Sequence, residues 1–505
     1  VREKLIQLAF GRLADDHEHG GKLRLRYSLD AVAKERLGID IRAAKKGSDS
    51  WRLRYRELDG VPVASWPRAA REYALDDARI TYAIYEEQTR VCIDPDAPET
   101  PGIPDEIPQT RSAFWLQLMG AWGIRTDIVR VNALAEQVQA DMVRMDQILR
   151  EAGILKSRIT KGREVWSKNM LALRDRVKRV YPDNLVIPLT AQGQVATDRE
   201  TLIASGDPVL VAAGERSAAE KLLSTFIPTL LQGTQGPICP NWSELKASGR
   251  TSCWGPNLQQ PPRKGGIREC FVPRPRYLFA VCDYSYIELC TLAQVCIDIF
   301  GYSVLGQAIN LGLDPHLDMA AILLGLSYEE ALKRKKETKV KDARQLSKAL
   351  NFGLPGGLGA RRFTEYAKAS YGIKALTEER AKELKALWYE KWPEMRKFHR
   401  LFSSQADSGR VFMVRQLRSG RLRGGCQFTD GTNTCFQGLA ADGAKRAGWL
   451  IAKECYLEDP WGQGPTALYG SRPVLFLHDE FVLEVPDASA PEAALRLGNL
   501  MVAGM

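Results

Sequence analysis

Asp283 and Asp479 are the side chains most able to do chemistry. Asp283 closes the apolar run YLFAVCD, and Asp479 stands beside Glu480 in the middle of VLFLHDEFVLEV. A carboxylate next to a sheet core is costly unless its charge is compensated. Two arrangements would do this. Each aspartate could pair with a nearby Arg or Lys, or the two together could hold hard cations. Carboxylates, water and phosphate oxygens are the usual ligands of magnesium. Two such ions can bridge the attacking and leaving oxygens of a phosphoryl transfer.

A third stretch bears on that choice. KDARQLSKALNFGLPGG places Arg344, Lys348 and Phe352 at i, i+4 and i+8, roughly along one face of a helix. Two cations and an aromatic ring can grip a triphosphate and stack on a base. The same spacing also describes a solvated basic face with Phe352 in the core. Pro355 disfavours helix at Leu354, and Gly356 and Gly357 follow, so the helix 342–354 is predicted to end there.

The elements that must position these groups follow from periodicity. A strand is predicted over 277–285 and another near the C-terminus, with helical patterns over 286–402 and 433–456. Upstream, SLDAVAKERLG has a Ser28 cap and stops at Gly38. A long helix is predicted over 129–153, then a basic patch at 155–169 and a helix pair near SAAEKLLSTFIPTLL. DPDAPETPGIPDEIP is a linker by composition, and 247–266, rich in Gly, Pro and Asn, reads as an ordered loop.

Length and composition bound the class. The chain has 505 residues, suggesting two to four domains, and 45% are hydrophobic. The net charge of +10 attracts a polyanion, nucleic acid being the usual one, or simply aids solubility. None of the ten cysteines forms a C-x-x-C pair, so neither a zinc ribbon nor a secreted disulfide framework is indicated, and reduced, partly buried thiols are the expectation. No apolar run is long enough to span a bilayer, and VREKLIQLAF lacks a signal-peptide core. A soluble, cytoplasmic protein without a membrane partner is the expectation.

Taken together, five stretches in order resemble family A DNA polymerases, the class of bacterial DNA polymerase I. DYSYIEL resembles the family's first catalytic motif, RQLSKALNFG its nucleotide-binding helix and LHDEFVLEV its third motif. GRTSCWGPNLQQPPR resembles the segment that contacts primer–template, and TNTCFQGLAADGAKRA the helix carrying an Asn and a Gln. The resemblance implies an α/β right-hand polymerase of palm, fingers and thumb, preceded by a partial ribonuclease H-like 3′–5′ exonuclease domain. It implies an exonuclease-like part at 1–92, a linker at 93–108, a thumb at 109–245, palm at 246–300 and 403–505, and fingers at 301–402.

The resemblance also implies roles. Asp283 and Asp479 would hold two Mg2+ ions, for which Mn2+ can substitute, with the Tyr284 carbonyl assisting. Glu480 would support the primer end. Glu288 would lie under the nucleotide sugar and block a 2′-OH. Arg344 and Lys348 would bind the β and γ phosphates, Lys348 also protonating the leaving pyrophosphate, and Phe352 would pack on sugar and base. Arg250, Asn257, Gln259, Asn433, Gln437 and His478 would contact primer–template. Three positions depart from the family pattern: Gly356 replaces a Tyr that stacks on the template base, Tyr286 a Gln, and Cys290 an Arg.

YALDD matches the Y-x-x-x-D motif of the proofreading exonuclease, with Tyr73 orienting water and Asp77 binding metal. No upstream D-x-E matches convincingly in 1–27, so the chain as given is expected to lack a full exonuclease site. The expected function is therefore template-directed DNA synthesis from dNTPs on primer–template DNA, by a monomer whose accessory factors the sequence does not name. The compact layout would suit a phage replication enzyme. The alternatives are a two-metal 3′–5′ exonuclease acting through Asp77, a non-catalytic DNA-binding module, and a single-subunit RNA polymerase, which Glu288 disfavours.

Overall fold

The computed structural model describes residues 1–14, 17–19, 22–24, 26–42, 50–94, 102–160, 163–181, 187–190, 192–262, 265–373, 376–406 and 411–505. Parts of the predicted linker 93–108, basic patch 155–169 and loop 247–266 lie outside the described residues.

The first helix, α1 (Arg2–Ala9), is buried despite its charges. Glu3 binds Arg36 at 2.8 Å, and Lys4 donates to Ser243 Oγ at 3.0 Å and to Glu244 Oε2 at 2.9 Å. A small hairpin, β1 (His17–His19) and β2 (Lys22–Arg24), leads to α2 (Leu29–Leu37). Its end is at left-handed Gly38 (φ 71°), where the sequence placed it. Then come α3 (Arg68–Thr89) and α4 (Glu106–Trp122).

The next region packs around the long α5 (Ile128–Glu151), whose N-terminal amide at Arg130 donates to the Asp127 side chain. The basic patch is a hairpin, β3 (Leu155–Thr160) and β4 (Arg163–Lys168), followed by α6 (Met170–Val180). The predicted helix pair is α7 (Pro208–Lys221) and α8 (Ile227–Gln235), joined through a π-helical turn. Val131, Leu134 and Val138 of α5 bury against Ile227 and Leu230 of α8.

The C-terminal part centres on a three-stranded antiparallel sheet. Its strands are β5 (Tyr277–Asp283), β8 (Arg472–Leu477) and β9 (Glu480–Pro486), in the order β8–β9–β5. Between β5 and β8 the chain runs through α9 (Ile287–Phe300), α10 (Pro315–Leu324), α11 (Thr338–Gly353), α12 (Ala360–Tyr371), α13 (Glu378–Lys391) and α14 (Glu394–Ala406). The hairpin β6 (Phe412–Arg415) and β7 (Leu422–Cys426) and the long α15 (Phe428–Tyr456) complete it, and α16 (Ala490–Gly504) follows β9.

Alternation along β9 sends its side chains to two faces. Phe481, Leu483 and Val485 pack on Trp115 of α4, on α15 and on α16. Val482 joins Val474, Leu475 and Leu258 on the other face. A separate core binds α9 to the helical layer, where Leu292 and Val295 meet Leu350, Phe363, Trp388, Phe398 and Phe436. The nucleotide-helix candidate α11 thus shares a core with the helix that leaves β5.

One sequence expectation is corrected here. Asp479 does not sit inside a strand. His478 takes a left-handed backbone (φ 63°), the run VLFLHDEFVLEV folds back on itself, and Asp479 lies in the turn between β8 and β9. Period-2 patterning continues through a two-residue turn, so the apolar run alone did not reveal the reversal.

Candidate active site

β9 pairs with β5 in the register that sets Glu480 opposite Asp283. That register brings the end of β5 to the β8–β9 turn, and the Tyr284 amide donates to the Asp479 carbonyl at 3.3 Å. Burial, followed by the charge of Asp283, raises the Asp479 carboxyl to about 6. The two aspartates from sequence positions almost 200 apart therefore repel each other in a partly desolvated corner.

One open cleft of about 840 Å³ collects the expected groups. It is lined by Asp283, Tyr284 and Asp479 at the sheet edge, by Glu288 on α9, and by Arg344, Lys348 and Phe352 on α11. Gln437 of α15 and Arg250 close it. The Arg250 guanidinium donates to Glu288, and burial lowers the Arg250 pKa while Asp479 opposes that shift. Tyr284 is anchored from below, its hydroxyl donating to the Met501 carbonyl at 2.6 Å.

α11 is held in place by groups the sequence reading missed. Asp314 caps α10 by accepting from the His316 amide at 2.9 Å, and its other oxygen receives Arg344 Nε at 2.8 Å and Nη2 at 2.6 Å. His316 also lines the cleft, and burial lowers its pKa to about 4. Its ring lies 5.1 Å from Phe352 and 5.4 Å from Tyr286, between centroids. Asn351 donates to the Pro315 carbonyl at 3.1 Å and accepts from Trp388 at 3.0 Å. The signal for Asp314 and His316 was LDPHLDM, an Asp–Pro helix start with a histidine in its first turn.

The three departures have structural counterparts. Tyr286 adopts a left-handed backbone (φ 56°), rare for a bulky residue, and its hydroxyl interacts with Arg344 and Asp314. Gly356 packs directly on α15: a Cβ there would stand 2.9 Å from Asn433 Oδ1. Cys290 faces another cavity beside Arg418 and Arg446.

The remaining expected residues divide. His478 lines an adjoining cavity of about 150 Å³ with Arg250, Glu288 and Gln437. Asn257 is exposed on its loop. Gln259 is only 7% exposed, and its amide donates to Thr251 Oγ1 and the Phe476 carbonyl. Tyr73 and Asp77 lie on α3, apart from the cleft, where Asp77 borders a shallow surface with Thr81, Tyr82 and Tyr85. Among the described residues no group of three or more His, Cys, Asp or Glu converges as a metal cluster, beside Asp77 or elsewhere.

The donor set at the sheet edge still suits hard cations. Two mutually repelling carboxylates, a neighbouring carbonyl and an open cleft leave coordination places for water and phosphate oxygen. A cation between them would offset both the burial and the repulsion that raise the Asp479 pKa.

Comparison with known proteins agrees with this geometry. The family model described as DNA polymerase family A matches residues 175–504, well over half of the chain. The chain belongs to DNA polymerase family A, and its mixed α/β architecture is that of the family's polymerase fold. It is 29% identical over 313 residues to DNA polymerase I of Aquifex aeolicus (strain VF5), covering 61% of this chain and 50% of the relative. It is 25% identical over 427 residues to the thermostable DNA polymerase I of Thermus aquaticus, covering 79% of this chain and 46% of the relative. The chain spans about half the length of the curated relatives it matches. The POL domain of Pol1 from M. smegmatis, solved in complex with DNA primer-template and dNTP, shares the fold with a TM-score of 0.67 at 21% identity, covering 100% of this chain and 78% of that one.

Proposed function

We propose that this chain is a template-directed DNA polymerase that adds dNTPs to a primer 3′-OH and releases pyrophosphate. The observation that carries this reading is the single cleft in which Asp283 and Asp479 face Arg344 and Lys348. Phosphoryl transfer needs positioning and charge neutralisation more than covalent chemistry. The relatives named DNA polymerase I and the fold neighbour bound to primer-template and dNTP support it.

Asp283, Asp479 and the Tyr284 carbonyl would hold two Mg2+ ions, or Mn2+, which neutralise charge on the reacting phosphate when bound. Arg344, oriented by Asp314, binds the outer phosphates. Lys348 sits one helical turn further on and gives a proton to the leaving pyrophosphate. Phe352 packs against sugar and base, Glu288 excludes a 2′-OH, and Glu480 supports the primer end. Arg250, Asn257, Gln259, Asn433, Gln437 and His478 contact primer–template. Minor-groove acceptors are shared by all correct pairs, which suits an enzyme that copies any sequence. In this reading residues 246–300 and 403–505 are palm, 301–402 fingers and 109–245 thumb, with α11 swinging to close on a correct pair. Residues 1–92 are an exonuclease-like part joined through 93–108, and the enzyme works as a cytoplasmic monomer.

The test is primer extension with Mg2+ and four dNTPs. Template-ordered extension should disappear in Asp283→Asn and persist in Asp77→Asn. Primer shortening that depends on Asp77, without extension, would support the nuclease instead.

A further inference from the structure

Tyr286 stands at the joint between the two halves of the cleft. It comes directly after the β5 edge that carries Asp283 and occupies the N-cap position of α9. Its backbone is left-handed, with φ 56° and ψ 30°. Bulky residues rarely take that conformation, so the contacts around the side chain must hold it there. The half-buried ring packs against the core that α9 shares with α11. It lies 5.4 Å from the His316 ring, between centroids, at 72°. His316 is itself tied to α11, with Asn351 Nδ2 3.2 Å from its Nδ1. The Tyr286 hydroxyl interacts with both Arg344 and Asp314.

Those contacts bear on how Arg344 is held. Its Nε and Nη2 both donate to one oxygen, Asp314 Oδ2, at 2.8 Å and 2.6 Å. The other oxygen, Oδ1, accepts from the His316 and Leu317 amides at the start of α10. A guanidinium that meets two carboxylate oxygens as a fork is fixed in plane and direction. Here both bonds converge on one oxygen, which leaves the guanidinium able to pivot about it. The Tyr286 hydroxyl supplies a further contact that opposes the pivot. Asp314 ties Arg344 to α10, whereas Tyr286 ties it to the sheet edge, three residues from Asp283. The second tie sets the place of the arginine relative to the two aspartates.

We propose that Tyr286 is a positioning residue for the incoming triphosphate: its hydroxyl sets the angle of the Arg344 guanidinium relative to the edge that carries Asp283 and Asp479. This rests on the polymerase reading and deepens it at the same cleft. Phosphoryl transfer depends on holding the reacting phosphate in line, so the cation on the outer phosphates has to be placed against the carboxylate edge. The phenol acts through Arg344 and not through the base, so its effect is the same for all four dNTPs.

The test is single-turnover incorporation over a range of dNTP concentrations by the whole chain, Tyr286→Phe, Arg344→Ala and the double variant. Tyr286→Phe keeps the ring and removes only the hydroxyl. It should raise the half-saturating dNTP concentration by about tenfold, the scale of one hydrogen bond to a charged group. Its maximal rate should stay within about threefold, its primer–template affinity within about twofold and its melting temperature within about 2 °C. The half-saturating pyrophosphate concentration in the reverse reaction should rise by a similar factor, because pyrophosphate consists of the β and γ phosphates that Arg344 binds. On the Arg344→Ala background the same change should alter the half-saturating dNTP concentration by less than about twofold. An equal effect on both backgrounds would put the phenol on the phosphate itself and overturn the proposal. Saturation of Tyr286→Phe at the unaltered dNTP concentration would also overturn it, as would a weakening confined to one base. An unaltered chain that incorporates no dNTP would remove the polymerase reading and this inference together.

Discussion

At the residue scale the cleft depends on how its charges are partnered. Arg250 and Glu288 pair across the floor of the cleft, so the carboxylate proposed to exclude a 2′-OH is held by a residue from a separate loop. Glu288→Ala should raise ribonucleotide use relative to deoxyribonucleotide by ~10²-fold, the scale set by one well-placed contact. Arg250→Ala should move the same ratio in the same direction by less. Competition between dATP and ATP on one template measures both, and an unchanged ratio in Glu288→Ala would remove that role. At this scale the sequence was partly legible. Asp283, Asp479, Arg344 and Lys348 stood out because each is a charge in a patterned apolar or helical setting. Asp314 and His316 did not, since a helix cap looks the same whether or not it also orients an arginine. Nor did the pattern show that the Gln259 amide bonds Thr251 and the Phe476 carbonyl, since an amide in a polar loop does not reveal which partners it meets.

At the scale of elements, the end of α11 is the most constrained point. Gly357 has φ 80° and lies against Phe428, so Gly357→Val should cost about 2 kcal/mol or more, read by urea unfolding. The same turn is held by His399, whose Nε2 donates to the Pro355 carbonyl at 3.0 Å and whose Nδ1 accepts from the Tyr389 hydroxyl at 2.7 Å. Burial holds its pKa down at about 4, against roughly 6.5 in an unfolded chain. Between those values the unfolded chain takes up a proton that the native ring refuses, so this site favours folding at neutral pH and loses that contribution as pH falls from 6.5 toward 4. Glutamine can make both hydrogen bonds without titrating. The stability of the native chain relative to His399→Gln should therefore fall by about 2 kcal/mol between pH 7 and pH 4.5. Parallel stability curves would show that His399 is not held neutral. Helix ends were legible where Gly or Pro marked them, as at Gly38 and the PGG turn. The β8–β9 reversal was not, because His478 in a left-handed turn interrupts no pattern that a strand would show.

For the whole molecule, distant segments are tied by buried charge. Arg421 is buried between Asp105 and Asp442, joining the segment before α4 to β7 and α15. Lys4 of α1 meets Glu244, which is only 5% exposed. Lys4→Ala leaves that carboxylate without its ammonium partner and should cost about 3 kcal/mol in a denaturant titration. Lys4→Ala/Glu244→Ala together should recover much of the loss. Such long-range pairs leave no local signature, which is why the attachment of α1 to the sheet region could not be read from its pattern. What the sequence did show at this scale was the order of the motifs, and the sheet joins their ends: β5 and β9 pair with Asp283 opposite Glu480. The central claim is that Asp283 and Asp479 act together on one transferred phosphate. Single-turnover incorporation of one dNTP, followed against Mg2+ concentration, tests it most directly. Asp283→Asn and Asp479→Asn should each slow incorporation by at least about 10²-fold while binding primer–template within about threefold of the unaltered chain. Incorporation at the unaltered rate by either variant would contradict the claim.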